Sequence, residues 1–367
     1  MEYIFILGRN PELSILELES VFGEFGHKKI GNAILADFPE IKKGTINKLG
    51  GAIEIGQVVA SGKDIEKKIG NLVLYSTSGN KLNYVVWDFS GGNGFLDEAR
   101  EILKAKFKEE RMKTTEKKIS NFLKLQSGVE VRNLSSNKLI DEQYFAFDDK
   151  FGRIIETCDY EVLEKEDMEK PVRRQELAIS PRLAKILVNL SGAKPGETLA
   201  DPFCGVGSIL HEALKREIRV IGIDKDPRAI EGLRKNLEWS RTLPGKYQLI
   251  NQDSATAQIR KADAVATEPD FGETLRQIPN EEQTKEMLSD YENLMIKVLN
   301  NLKTKVSGKF AFTAPFILSK TKGKVKRMGC NSERMTKATG LKISPGFPAD
   351  EFRRDQIVGR QIFLLKH

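Results

Sequence analysis

The sequence predicts an α/β protein in two parts: an α+β region followed by a doubly wound, Rossmann-like parallel sheet over residues 176–367. Three observations predict it. From residue 198 onward, apolar runs of strand length alternate with helix-length segments: ETLADPF, GSILHEALKR, IRVIGID, PRAIEGLRKNLEW, YQLINQD, ADAVATE, YENLMIKVLNNL and GKFAFTA. Before residue 160 the order is different, with short alternating strands interspersed with helices. Between them, residues 161–175 (EVLEKEDMEKPVRRQ) are charged and poor in large apolar groups, as a linker is.

In chain order, YIFILGR reads as a first strand that stops at Asn10-Pro11. NPELSILELESVFG places Leu13, Leu16, Leu18, Val21 and Phe22 on a helix closed by Gly23. NAILADF, AIEIGQVVA and NYVVWDFS read as strands, and LDEAREILKAKFKEERMKT lines up Leu96, Ala99, Ile102, Leu103 and Phe107 as one helical stripe. EQYFAFDD followed by GRIIETCDY reads as a hairpin. At the head of the second part, Ser180 is placed to cap a helix with Pro181 at its first position.

Composition narrows the function classes. No run of about 18 apolar residues offers a spanning helix, and MEYIFILGRN lacks the basic head and small-residue cleavage site of a leader, so a cytoplasmic protein is expected. Cys158, Cys204 and Cys330 are scattered, as are the three histidines, so neither a disulfide framework nor a zinc site is expected. The formal net charge is +7, concentrated in KAKFKEERMKTTEKK (Lys104 to Lys118) and SKTKGKVKR (Ser319 to Arg327). Such clusters attract polyanions by counterion release. Taken singly, each also reads as a solvated helix face or a flexible basic loop.

Four strand ends carry the chemistry. In LADPFCGVGSILHEAL a strand ends at Asp201, Gly205 and Gly207 let backbone approach a ligand, and a helix starts near Ser208. Asp224 ends the next strand about 20 residues on, where an acidic side chain takes both hydroxyls of a ribose. The spacing also fits a dinucleotide site, but DPFCGVGS is not G-x-G-x-x-G, and Asp201 repels a pyrophosphate while suiting the cationic end of S-adenosylmethionine. Asp226, ahead of Pro227, is the better helix cap and leaves Asp224 for a ligand. Asp253 and Ser254 end a third strand, where an adenine amino group could be met. The fourth end is Glu268-Pro269-Asp270-Phe271-Gly272. A base amine is a poor nucleophile because its lone pair is delocalised. A carboxylate and a backbone carbonyl would draw on its protons, proline stiffens the turn, and Phe271 would stack on the base. The plainer alternative is a turn whose phenylalanine packs inward.

These residues resemble the THUMP-containing, class I S-adenosylmethionine-dependent tRNA guanine-N2-methyltransferases, in particular those acting on guanosine 10 in archaea and eukaryotes. ELAISPRLAKILVNLSGAKPGETLADPFCGVGSILHEAL is similar to their pre-motif helix and glycine-rich motif, and GIDKDPRAIEGLRKNLEW to their ribose-binding turn. YIFILGRNPELSILELESVFG and DEFRRDQIVGRQIFLLKH resemble their two ends. The resemblance is clear over residues 173–272. It implies an N-terminal ferredoxin-like region at 1–60, a THUMP-like RNA-binding domain at 61–160, the linker at 161–175 and a methyltransferase domain at 176–367. It also implies S-adenosylmethionine over Asp201, Pro202, Phe203, Gly205, Gly207, Asp224, Lys225, Asp253 and Ser254. A tRNA guanine would lie against Glu268, Pro269, Asp270 and Phe271, with no metal. It leaves room for a small activating subunit that the sequence does not identify.

The chain departs from the family in two places. The family's target-amine motif is Asp-Pro-Pro-Tyr/Phe-Gly; here glutamate replaces the aspartate, moving the carboxylate by roughly an ångström, and Asp270 replaces the second proline. The basic segment ahead of the catalytic domain is only KPVRR. Two alternatives stay open: amino-methylation of another RNA or DNA base, and a silent protein that binds cofactor and tRNA.

Overall fold

The computed structural model describes the chain except residues 77–78, 118–121, 125–129, 133–139, 174–178, 244, 273–274, 322 and 354–355. It divides into two compact units, residues 1–14 with 22–166 and residues 15–21 with 167–367.

The first unit contains β1 (Glu2–Leu7), the two ends of α1 (Pro11–Phe22), whose residues 15–21 belong to the second unit, β2 (His27–Ile30), β3 (Ala33–Asp37), β4 (Ala52–Ser61), α2 (Ile65–Gly70), β5 (Lys81–Phe89), α3 (Phe95–Glu109) and β6 (Lys113–Glu116). β7 (Phe122–Lys124) and β8 (Glu130–Arg132) pair as a separate ribbon, and β9 (Glu142–Phe147) and β10 (Lys150–Thr157) form the expected antiparallel hairpin. One eight-stranded sheet, β2-β3-β1-β4-β10-β9-β5-β6, joins residues from both sides of position 60. β4 does this by pairing with β1 on one side and β10 on the other.

Period-two alternation explains why both faces of that sheet are covered. Tyr84, Val86, Tyr144 and Ala146 pack with Ala99, Leu103 and Phe107 of α3. The intervening Val85, Trp87, Phe89, Phe145 and Phe147 pack with Ile4 and Ile6 on the opposite face. The first basic cluster is less solvated than its composition implies. Lys106 is buried, with Nζ donating to the Gly70 carbonyl and to Glu110 Oε1, both at 2.8 Å. Lys118 lies outside the described residues.

α4 (Tyr160–Met168) lies in the stretch read as a linker and crosses the division between units. The second unit then follows the alternation read from the sequence: α5 (Pro181–Ser191), β11 (Thr198–Asp201), α6 (Ser208–Leu214), β12 (Arg219–Asp224), α7 (Pro227–Trp239), β13 (Tyr247–Asn251), β14 (Ala264–Thr267), α8 (Glu281–Leu302) and β15 (Phe310–Thr321). It closes with β16 (Lys324–Gly329), α9 (Ser332–Thr339), β17 (Lys342–Ile343), β18 (Ala349–Glu351) and β19 (Val358–Lys366). The strand order is β13-β12-β11-β14-β15-β19-β17, with β16 on β15 and β18 on β19. β11 to β15 are parallel and β19 runs against them. This is the doubly wound sheet expected from the sequence, with β16 and β19 both antiparallel to β15.

Local chemistry fixes the helix starts. The Ser180 hydroxyl accepts from the Leu183 amide with Pro181 in the first turn, and Asp226 does the same for α7 by accepting from Arg228 N. Asn280 and Gln283 form a capping box at α8. The second basic cluster is a β-hairpin rather than a flexible loop. β15 and β16 pair from Phe316↔Gly329 to Thr321↔Lys324, and the buried Ser319 hydroxyl accepts from Thr284 at 3.0 Å.

Candidate active site

Parallel strands in register end together, which sets the site. β11 pairs Asp201 with Gly222 of β12 and Ala200 with Val265 of β14, while β12 pairs Asp224 with Asn251 of β13. The turns after these four strands therefore leave one edge of the sheet, where ligands of open α/β sheets bind. They line one cavity of about 590 Å³. Of the thirteen positions singled out from the sequence, the cavity wall holds Asp201, Phe203, Gly205, Gly207, Asp224, Lys225, Asp253, Ser254, Glu268, Pro269, Asp270 and Phe271, leaving Pro202. Pro202 lies behind the wall, its carbonyl accepting the Ser254 hydroxyl.

On the β11–β13 side the carboxylates are tied mostly by nearby backbone, with one hydroxyl from β14. Asp201 is 1% exposed, and Phe203 N–H and the Thr267 hydroxyl both donate to its Oδ1, at 3.1 and 2.5 Å. Burial is the largest influence on this carboxyl; with the nearby charges of Asp224 and Glu268 it outweighs the two hydrogen bonds, and the pKa is pushed up to about 7. Asp224 accepts from Gly205 N–H at 3.0 Å through Oδ2 and from Asp226 N–H at 2.9 Å through Oδ1. Asp253, two residues past the end of β13, is exposed and accepts from Ala255 N–H at 2.9 Å. Ser254 is buried and spends its hydroxyl proton on the loop carbonyl, so it ties two strand tips together and retains acceptor capacity toward a ligand. Gly207 has φ +94°, and a Cβ there would come within 2.3 Å of Leu233 Cδ1. Gly205 has φ +50°, and a Cβ there would meet no protein atom within 4 Å; the backbone faces open space.

On the β14 side the ties are long-range. Glu268 follows the last residue of β14, and its Oε1 accepts from Arg360 Nε at 2.5 Å. Arg360 is on β19, opposite Pro315 of β15. Among the described residues, Glu268 Oε2 is buried without a hydrogen-bond partner. Burial raises the pKa of Glu268, and Arg360 opposes that rise. Phe271 is half-buried, edge-on to Tyr291 with centroids 5.9 Å apart, so it packs on the core margin and lines the cavity at once. Asp270 is exposed, and its Oδ1 accepts from Gly272 N–H at 3.0 Å, which closes the turn. Sequence reasoning missed Ile179, Leu294, Val358 and Arg360, which also line the cavity. They come from segments far along the chain and carry no local motif.

Six carboxylates line the cavity (Asp201, Asp224, Asp226, Asp253, Glu268, Asp270) against the three cations Lys225, Arg228 and Arg360. A pyrophosphate does not suit such a wall; a sulfonium with an ammonium group does. The two donors to Asp201 converge on Oδ1 and leave Oδ2 uncommitted among the described residues. The residues present thus fit S-adenosylmethionine.

Fold and cavity together are those expected of a class I methyltransferase domain. Residues 171–314 match the UPF0020 model, described as an RMKL-like methyltransferase domain, and residues 56–235 match a DNA methylase model. The chain is 42% identical over 96 residues to the tRNA (guanine(10)-N2)-dimethyltransferase of Methanothermobacter thermautotrophicus, covering 26% of this chain and 28% of that one. It is 29% identical over 167 residues to the protein of that name from Methanocaldococcus jannaschii, covering 43% and 47%. Its match to the one from Pyrococcus abyssi is weaker and longer, at 26% over 336 residues, covering 86% and 88%. The chain thus spans about a quarter and about half of the first two relatives and most of the third. Among solved structures, TrmN from Thermus thermophilus shares the fold, with a TM-score of 0.50 at 12% identity, over 100% of this chain and 99% of that one.

Proposed function

We propose that the protein is an S-adenosylmethionine-dependent methyltransferase acting on the exocyclic N2 amine of a guanosine in tRNA. The observation that carries this reading is that Glu268, whose Oε2 is buried without a hydrogen-bond partner among the described residues, lines the same cavity as the carboxylate and glycine cradle of β11 and β12. The names of the curated relatives point to guanosine 10 of tRNA as the substrate class.

In this reading Asp201 faces the amino-acid end of the cofactor and Asp224 the ribose hydroxyls. Lys225 and Asp253 border the nucleoside beside Pro202, Phe203, Gly205, Gly207 and Ser254. The bound cofactor supplies an electrophilic methyl group. Glu268 Oε2 and the Pro269 carbonyl accept the two N–H groups of the target amine, which orients its lone pair. Phe271 presents a face to the flipped base. Glu268 Oε2 takes the proton that the amine sheds, a role suited to a carboxylate whose basicity burial has raised. Ile179, Leu294 and Val358 keep the wall apolar between the polar groups.

The first unit acts as a THUMP-type RNA-binding region, with its 1–60 and 61–160 parts joined in one sheet, and 161–175 connects it to the catalytic unit. The protein works in the cytoplasm; among the described residues no helix is long and apolar enough to cross a membrane. A second reading, amino-methylation of another base, draws on the DNA methylase match, but that match ends at residue 235, before the Glu268 turn. Incubation with unmodified tRNA and labelled methyl donor, followed by nucleoside analysis, tests the choice. N2-methylated guanosine is the expected product; label in adenosine or cytidine instead supports the second reading.

A further inference from the structure

A glutamate at a strand tip has one more rotatable bond than the aspartate of the related motif, so without a fixed partner its carboxylate would sample several positions. Here it has such a partner. Arg360 donates Nε–H to Glu268 Oε1, and its guanidinium carbon lies 6.0 Å from the centroid of the Phe271 ring. The Glu268 side chain is 11% exposed and that of Arg360 29%, so water screens the pair only in part. Charge-assisted hydrogen bonds are the stronger kind, whereas a buried oxygen left unpaired is destabilising. One oxygen of Glu268 is firmly held, while the other is left for a donor that the described residues do not supply.

We infer that Arg360 is the positioning residue of the target side. By fixing Oε1 it holds Glu268 in the orientation in which Oε2 meets the amino group of an incoming base, and by lying against Phe271 it steadies the ring beneath that base. The inference deepens the amino-methylation reading and rests on it. It also accounts for how a glutamate serves in a motif that resembles one with an aspartate: the added reach is taken up by an arginine from β19, two strands along the sheet from β14. Among the described residues, the charged and titratable groups around Glu268 are Arg360 from β19, Asp201 from β11, Tyr291 from α8 and Asp270 in its own turn. Arg360 is the group that favours the ionised form, against burial. Its removal leaves Glu268 protonated to a higher pH, and a protonated carboxyl is a poor acceptor for the amine's protons.

The test uses the full chain and two variants, Arg360→Met and Arg360→Lys. With unmodified tRNA under single-turnover conditions, Arg360→Met is expected to lower the methyl-transfer rate about 100-fold, to leave the S-adenosylmethionine Kd within twofold, and to move the acid limb of the pH–rate profile to higher pH. Arg360→Lys should restore part of the rate and bring the limb back toward that of the unmodified enzyme. A carbon-13 titration of the Glu268 carboxyl, read by NMR in the free protein, needs no turnover; it should show a higher pKa in Arg360→Met. An unmoved titration overturns the inference whether or not the protein methylates tRNA. A moved titration with an unchanged rate and pH profile also overturns it, because the pair would then be structural. An inactive wild-type protein with a moved titration would overturn both the amino-methylation reading and the positioning role that rests on it, whereas the Glu268–Arg360 coupling itself would stand.

Discussion

The two sides of the cavity hold their carboxylates in different ways. On the β11–β13 side, Asp201 and Asp224 are held by donors near in sequence or on adjoining strands, such as Phe203 N–H and Gly205 N–H. On the β14 side, Glu268 is held by Arg360, 92 residues further on. The first arrangement is built by adjacent parallel strands that end in register. The second needs β19 to be threaded back against β15 before it exists. The comparison teaches that the nucleoside cradle is a property of a local motif, whereas the amine-facing group is a property of the completed sheet and can be adjusted without disturbing the cradle.

The largest expected effect falls on the β14 side. Glu268→Ala should lower methyl transfer by about 1,000-fold or more, by analogy with the loss of a preorganised charge-stabilising group, with little change in cofactor affinity by calorimetry. A rate within tenfold of wild type would remove Glu268 from its role. On the other side, Asp224→Ala should weaken S-adenosylmethionine binding roughly 30-fold by calorimetry, as the loss of charge-assisted hydrogen bonds does; an unaltered Kd would remove Asp224 from the cofactor site. These two variants separate the sides: one acts on the rate, the other on affinity.

Asp201 sharpens the comparison through pH. Its folded pKa is about 7, raised from 3.8. Between these values the folded state binds the extra proton, so this group's contribution to stability is greatest at the acid end of the window. It falls as pH rises toward 7, by a few kcal/mol in all. A cationic ligand favours the ionised form, so cofactor affinity should fall by up to about tenfold per unit as pH drops below 7. Denaturant midpoints at the two ends of the window and titration calorimetry check both, and Asp201→Asn should flatten both dependences. The smallest effect is on packing: Gly207→Ala should destabilise the unit by about 2 kcal/mol, through the Leu233 contact and the left-handed backbone. Thermal melting measures it.

Legibility in the sequence followed the same division. Asp201, Asp224, Asp226 and Ser180 could be placed because each sits at the junction of an apolar run and a cap or glycine, a signal carried within a few residues. Arg360 could not, because nothing in VGRQIFLLKH marks one arginine as facing a glutamate until the strand order is known. The single sheet of the first unit was hidden for a related reason: β4 pairs with β1 and with β10, and strand pairing leaves no mark in composition. The hairpin in SKTKGKVKR was masked by its lysines, which read as solvated loop, while the buried Ser319 that anchors it is a small polar residue with no strand signal of its own.

The central claim is that the β11–β12 cradle and the Glu268 turn serve one reaction in one cavity. A crystal structure of the protein with S-adenosylhomocysteine and a guanosine-bearing tRNA fragment tests it most directly. The account expects the ribose hydroxyls on Asp224 and the guanine amine within hydrogen-bond reach of Glu268 Oε2 and the Pro269 carbonyl, facing the ligand's sulfur. A ribose away from Asp224, or a sulfur walled off from Glu268 by packed side chains, would contradict it.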